Sequence, residues 1–142
     1  GVIAVLTLSA LGSALFMPAI VYMADAVGTQ TETLAVRGLS VGVSLRDFLA
    51  KELMAGTLIG LIIGALFLPF SLMLFDDAAV AATVSLSLLC SCAVASGVAM
   101  VLPWLLARLG KDPAFGSGPM ATVVQDLLSL VIYLAIASAL VT

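Results

Sequence analysis

The stretch MAGTLIGLIIGALFLPFSLMLF (54–75) decides the fold: it contains no charged side chain from end to end. A helix needs about 20 apolar residues to cross a bilayer, and this run supplies them. Working outward, residues 78–107 form a second such run and residues 2–24 a third, the latter with only Ser and Thr as polar side chains and a proline at 18. Residues 120–141 form a fourth, interrupted by Gln125 and Asp126. The pattern predicts an all-α membrane protein with four transmembrane helices, forming one transmembrane domain over 1–142. The first helix is expected to continue as a polar extension to about residue 37, because 25–37 has no Pro and a single Gly.

Composition excludes the other classes. The 142 residues are 63% hydrophobic and 9% charged, whereas a soluble domain carries about 25% charge. Five basic residues against eight acidic ones leave no surface for nucleic acid. The chain has no His, so zinc sites and hydrolytic triads that depend on it cannot form. Cys90 and Cys92 point about 200° apart on a helix and read as small packing residues. An aspartyl protease would need two opposed carboxylates in settings this sequence lacks, so no enzyme is expected. The N-terminus has no basic region of the secretory kind and its apolar stretch is long enough to span.

Basic residues set the expected orientation. Arg37, Arg46 and Lys51 lie between the runs 2–24 and 54–75, and Arg108 and Lys111 between 78–107 and 120–141. The positive-inside rule puts links 37–51 and 108–111 in the cytoplasm of a multi-pass plasma (inner) membrane protein. The Asp76-Asp77 turn and both termini then lie outside. An outside N-terminus suggests a further helix before Gly1.

Lipid gives helices no hydrophobic reason to associate, so small residues must let them approach. Gly56, Gly60 and Gly64 repeat GxxxG on the second helix, and Thr83, Ser87, Ser91 and Ala95 keep the same spacing on the third. These two stripes are expected to pack together.

Charges inside hydrocarbon are functional candidates by default. Asp126 lies seven residues past Pro119, with Thr122, Ser129 and Tyr133 expected on its face. Asp25, Thr29 and Glu32 form a second polar stripe where the first helix leaves its apolar part, with Gln30, Thr31 and Thr33 nearby. Carboxylate, hydroxyl and amide oxygens suit hard cations such as Mg²⁺ or Ca²⁺. One chain holds few acids, so a symmetric dimer that doubles Asp126 about an axis makes the better site. Asp126, Asp25 and Glu32 are therefore the expected metal ligands.

Three segments, ADAVGTQTETLAVRGL (24–39), KELMAGTLIG (51–60) and LGKDPAFGSGPMATVVQD (109–126), resemble the membrane domain of the MgtE-type magnesium channels and transporters. The resemblance implies a homodimer in the lipid bilayer with five helices per subunit and a Mg²⁺ pore along the dimer axis. It places the family's ion-binding aspartate on Asp126 and pore-lining positions on Gly118 and Thr122. The polar end of the family's earlier pore helix falls on 24–30, so Thr29 and Gln30 join the lining, and Ser129 extends it. Here Ala24-Asp25-Ala26 and Gly28-Thr29-Gln30 replace the family's Gly-Asn-rich pieces, losing Asn and gaining an acid. The family's first helix would precede Gly1, and any sensing domain would belong to a separate region or subunit. Mg²⁺ is the first expectation for the transported ion, with Mn²⁺ and Ca²⁺ the alternatives. Channel flow, exchange against Na⁺ or H⁺, and a non-conducting structural subunit are the three readings that the residues leave open.

Overall fold

The computed structural model describes the backbone of residues 2–141 and the side chains of residue 12 and residues 14–141. Four helices follow one another: α1 (Val2–Ser40), α2 (Leu45–Phe75), α3 (Ala78–Arg108) and α4 (Pro119–Leu140), with a short 3-10 turn, Pro113–Gly116, in the last link. Among the described residues, α2, α3 and the segment Pro113–Leu140 are long and apolar enough to cross a membrane. The expected first span, 2–24, lies in α1, and its side chains at 2–11 and 13 are outside the described ones.

The polar segment between the first two apolar runs is helical almost throughout. α1 continues to Ser40, and α2 begins at Leu45, nine residues before its apolar run. Arg46, Asp47 and Lys51 are helical rather than part of a loop, and Gly42, with φ 77°, sits in the short turn that remains. At the other end of α2, Asp76 adopts a left-handed φ of 49° and its N–H bonds to the Leu72 carbonyl, closing the helix. Asp77 caps α3 at once, its carboxylate accepting from the N–H groups of Ala79 (2.8 Å) and Val80 (3.3 Å). Those two acids suffice to join α2 to α3.

α3 is the central helix, with its most extensive seam against α2 and further seams against α1 and α4. Its neighbours turn large apolar side chains outward: Met54, Leu58, Leu66 and Met73 on α2, and Val123, Leu127 and Val131 on α4, are exposed. Such a surface suits lipid. Inside, Phe16, Ile20, Val80, Val84, Leu88 and Tyr133 join α1, α3 and α4 in one apolar cluster. Phe16 meets Phe67, Phe70 and Phe75 of α2 edge to face, with ring centroids 5.7–6.2 Å apart. Each such pair contributes about 0.5–1.5 kcal/mol beyond burial.

The glycines of α2 lie against α3. A Cβ at Gly60 would come within 3.0 Å of the Leu89 backbone and the Cys92 Cβ, and one at Gly64 within 2.8 Å of the Ser85 carbonyl oxygen. One at Gly56 would run into the Ser96 side chain. The partners are thus Ser85, Leu89, Cys92 and Ser96, not the expected stripe of Thr83, Ser87, Ser91 and Ala95. Ser87 sits about 200° round from Ser85 at 3.6 residues per turn, and so points away from α2. Both stripes of α3 are small enough for close approach, and Ser87 and Ser91 are buried elsewhere in the bundle.

Candidate functional site: an acidic seam between α1 and α4

The link after α3 is built to deliver the start of α4 to one place. Asp112 accepts from the Ala114 N–H (2.9 Å), and Ser117 donates its hydroxyl to the Ala114 carbonyl (2.7 Å). Gly116 is pressed on the α3 backbone, where a Cβ would lie 2.9 Å from the Pro103 nitrogen. Gly118 then turns at φ 68°, a left-handed value that favours glycine, and Pro119 opens the helix.

Glu32 of α1 meets that opening. Only 3% exposed, it accepts from the Gly118 N–H through Oε2 (3.3 Å) and from the Gln125 side-chain nitrogen through Oε1 (2.8 Å). A carboxylate at a helix N-terminus is favoured by the helix dipole and by the unpaired N–H groups there. Its neighbour Thr31 donates to Glu52 of α2 (3.2 Å), so consecutive residues of α1 bind two different helices.

Gln125 is fully buried, and Gly28 of α1 makes the room: a Cβ at residue 28 would overlap the Gln125 amide. The inward stripe of α4 is Ala121, Gln125, Ser129 and Tyr133. Asp126 and Thr122 lie about 100° round from Gln125 and Ala121, half-buried on the flank of the helix. The expected single face through Thr122, Asp126, Ser129 and Tyr133 is therefore divided. Ser129 and Tyr133 turn inward, while Thr122 and Asp126 stand at the edge. Sequence reading passed over Gln125 as an interruption of the apolar run. The available signal was an amide in a membrane helix at i, i+4 spacing from buried small residues, since such a group needs a partner.

Asp25 is half-buried one turn before Gly28. Its Oδ1 is buried without a hydrogen-bond partner, as is Oε1 of Gln125. Thr29, Gln30 and Gly118 are exposed. Thr29, Glu32, Thr33, Arg37, Ser117 and Gly118 border an open polar cavity of about 470 Å³ beside the acids. Among the described residues, no three Asp, Glu or Cys side chains converge into a group able to hold a metal ion. The described acids of one chain therefore form no closed cage.

Comparison with known proteins bears on this arrangement. The family model for MgtE, a divalent cation transporter, matches residues 17–136. The chain is 30% identical over 132 residues to the magnesium transporter MgtE of Bacillus subtilis strain 168, covering 90% of this chain and 29% of that protein. It is 31% identical over 130 residues to the magnesium transporter MgtE of Enterococcus faecalis, covering 88% of this chain and 28% of the relative. It is 33% identical over 129 residues to the magnesium transporter MgtE of Thermus thermophilus, covering 87% and 28%. The chain spans less than a third of the length of these relatives. The matched region contains all of α2 and α3, the acidic seam and most of α4, and the chain belongs to the MgtE divalent cation transporter family.

Proposed function

We propose that this chain moves divalent cations, Mg²⁺ first among them, across a membrane, with Asp126 as the ion-facing carboxylate. The observation that carries the reading is the position of Asp126: a half-buried acid at the edge of a largely apolar helix, next in the chain to the buried Gln125. A carboxylate there needs water, a cation or a second chain. The relatives' description as magnesium transporters favours the cation.

Mg²⁺ sheds water reluctantly and is held by one or two carboxylates through its hydration shell. Two copies of Asp126 facing across a dimer axis meet that need, and a dication between them relieves their repulsion. Asp25 is the second acid of the path. Thr122, Thr29, Gln30 and Gly118 line it toward the polar cavity, which in this reading opens to the cytoplasm. The glycine stripe of α2 serves as the packing surface that holds the bundle.

The test is dye-monitored Mg²⁺ flux into liposomes carrying the protein, with Asp126→Ala as the control. Flux that is lost in the variant while the protein still inserts and pairs supports the reading. Loss of assembly, or unchanged flux, sinks it. A second reading, exchange against Na⁺ or H⁺, is favoured by one observation: Asp25 and Glu32 are acids additional to Asp126, which exceeds what one dication needs. Repeating the assay with and without a Na⁺ or proton gradient separates the two.

A further inference from the structure

We infer that Glu32 is a positioning residue that fixes the rotation of α4, and with it the direction in which Asp126 projects. The inference rests on the transport reading above and deepens it. Sequence alone makes Glu32 a candidate ligand. Its surroundings assign it other work.

Both carboxylate oxygens are occupied by donors of α4, one at the helix start and one two turns later. Two contacts that far apart along one helix hold its rotation as well as its position. A turn of about 100° would exchange Asp126 for Gln125 at the seam. The amide that Glu32 grips is the residue immediately before Asp126, so the azimuth of the acid follows from the grip. Gly28 is an independent sign that the seam accommodates this amide, because any larger residue there would expel it. The carboxylate also settles which end of the amide faces it: an ionised acid accepts only, so the Gln125 nitrogen must point to Glu32 and its oxygen away.

A ligand and a positioning residue differ in what they need. A ligand needs charge, whereas a positioning residue needs an acceptor and its partner amide. The experiment measures Mg²⁺ flux against Mg²⁺ concentration in liposomes for Glu32→Ala, Glu32→Gln, Gln125→Leu and the double variant Glu32→Ala/Gln125→Leu. All are normalised to folded, inserted protein. Loss of a hydrogen bond to a buried charge is expected to raise the half-saturating Mg²⁺ concentration about tenfold in Glu32→Ala and in Gln125→Leu. Glu32→Gln, which keeps an acceptor for the amide, stays within about threefold of the parent. The double variant is no worse than either single one, because both remove the same contact.

The inference is overturned if Glu32→Gln is as damaging as Glu32→Ala while Gln125→Leu behaves like the parent, since that is the signature of an ion ligand. It is equally overturned if flux per folded molecule is unchanged in every variant. Should Glu32→Ala fail to insert, Glu32→Gln and Gln125→Leu still decide between these outcomes. Absence of Mg²⁺ flux in the parent protein would instead strike the transport reading itself, a result distinguishable from a parent that conducts and is indifferent to residue 32.

Discussion

Two seams of this bundle, α2–α3 and α1–α4, are held by different means. Between α2 and α3, glycines bring backbones together, and the polar groups on that seam are satisfied on the spot. Ser96 donates to the Cys92 carbonyl of its own helix (3.2 Å), and Ser85 donates across the seam to the Gly64 carbonyl (2.9 Å). Between α1 and α4, the contact is a buried carboxylate gripping a helix start and an amide. The buried side-chain oxygens found without partners, on Asp25, Thr83, Ser87, Ser91 and Gln125, belong to α1, α3 and α4 and none to α2. An unpaired polar atom in a dry interior is costly, so a seam that only has to hold satisfies its groups. The α2–α3 pair behaves as such a scaffold. The unpartnered hydroxyls of Thr83, Ser87 and Ser91 are buried on other sides of α3.

The largest test of that contrast is Asp126→Asn, expected to cut Mg²⁺ uptake by about tenfold or more as the dication loses a carboxylate. Asp76→Asn, in the tight turn between α2 and α3, is expected to stay within about twofold, because that acid shapes a turn. Equal losses in liposome uptake would move selection to the turn and erase the distinction between the seams. Next in size is Gly60→Leu. It forces a side chain into the Leu89 backbone and should destabilise by about 1–3 kcal/mol or more. Thermal unfolding in detergent followed by circular dichroism reads this, and flux per folded molecule should not change. A selective loss of flux would place α2 in the conducting path. Ser85→Ala removes one interhelical hydrogen bond and should cost about 0.6 kcal/mol in the same melt. Smallest is Thr57→Val. Its hydroxyl is exposed and already bonded to the Leu53 carbonyl (2.7 Å), so a change within about 0.5 kcal/mol is expected.

The apolar spans at 54–75, 78–107 and 120–141 were legible because lipid-facing and buried positions are both apolar, which leaves long unbroken runs. The start of α2 was less so. Leu45, Phe48 and Leu49 recur at helical spacing among Arg46, Asp47 and Lys51, and counting charge alone makes such a segment a loop. The partner of the glycine stripe was illegible for a different reason. α3 carries small residues on more than one side, at Thr83, Ser87, Ser91 and Ala95 and at Ser85, Cys92 and Ser96, and nothing in spacing says which set turns to α2. At the site, Asp126 and Asp25 stand out as acids in apolar surroundings, and the structure leaves both half-buried. Glu32 also stood out, but its hold on Gly118 and Gln125 joins residues 86 and 93 positions apart in the chain. No local pattern encodes a contact of that range.

The two-residue connection at Asp76-Asp77 has a consequence for how the molecule is made. It joins two helices of 31 residues each, whose facing surfaces are neighbours in the chain. Closing so short a loop carries little entropic penalty, so this hairpin is ready to form as soon as its second arm leaves the ribosome. The earlier arm, α1, and the later one, α4, then arrive on a surface already in place. Biogenesis would thus begin with the α2–α3 hairpin and finish with the half that carries the acids.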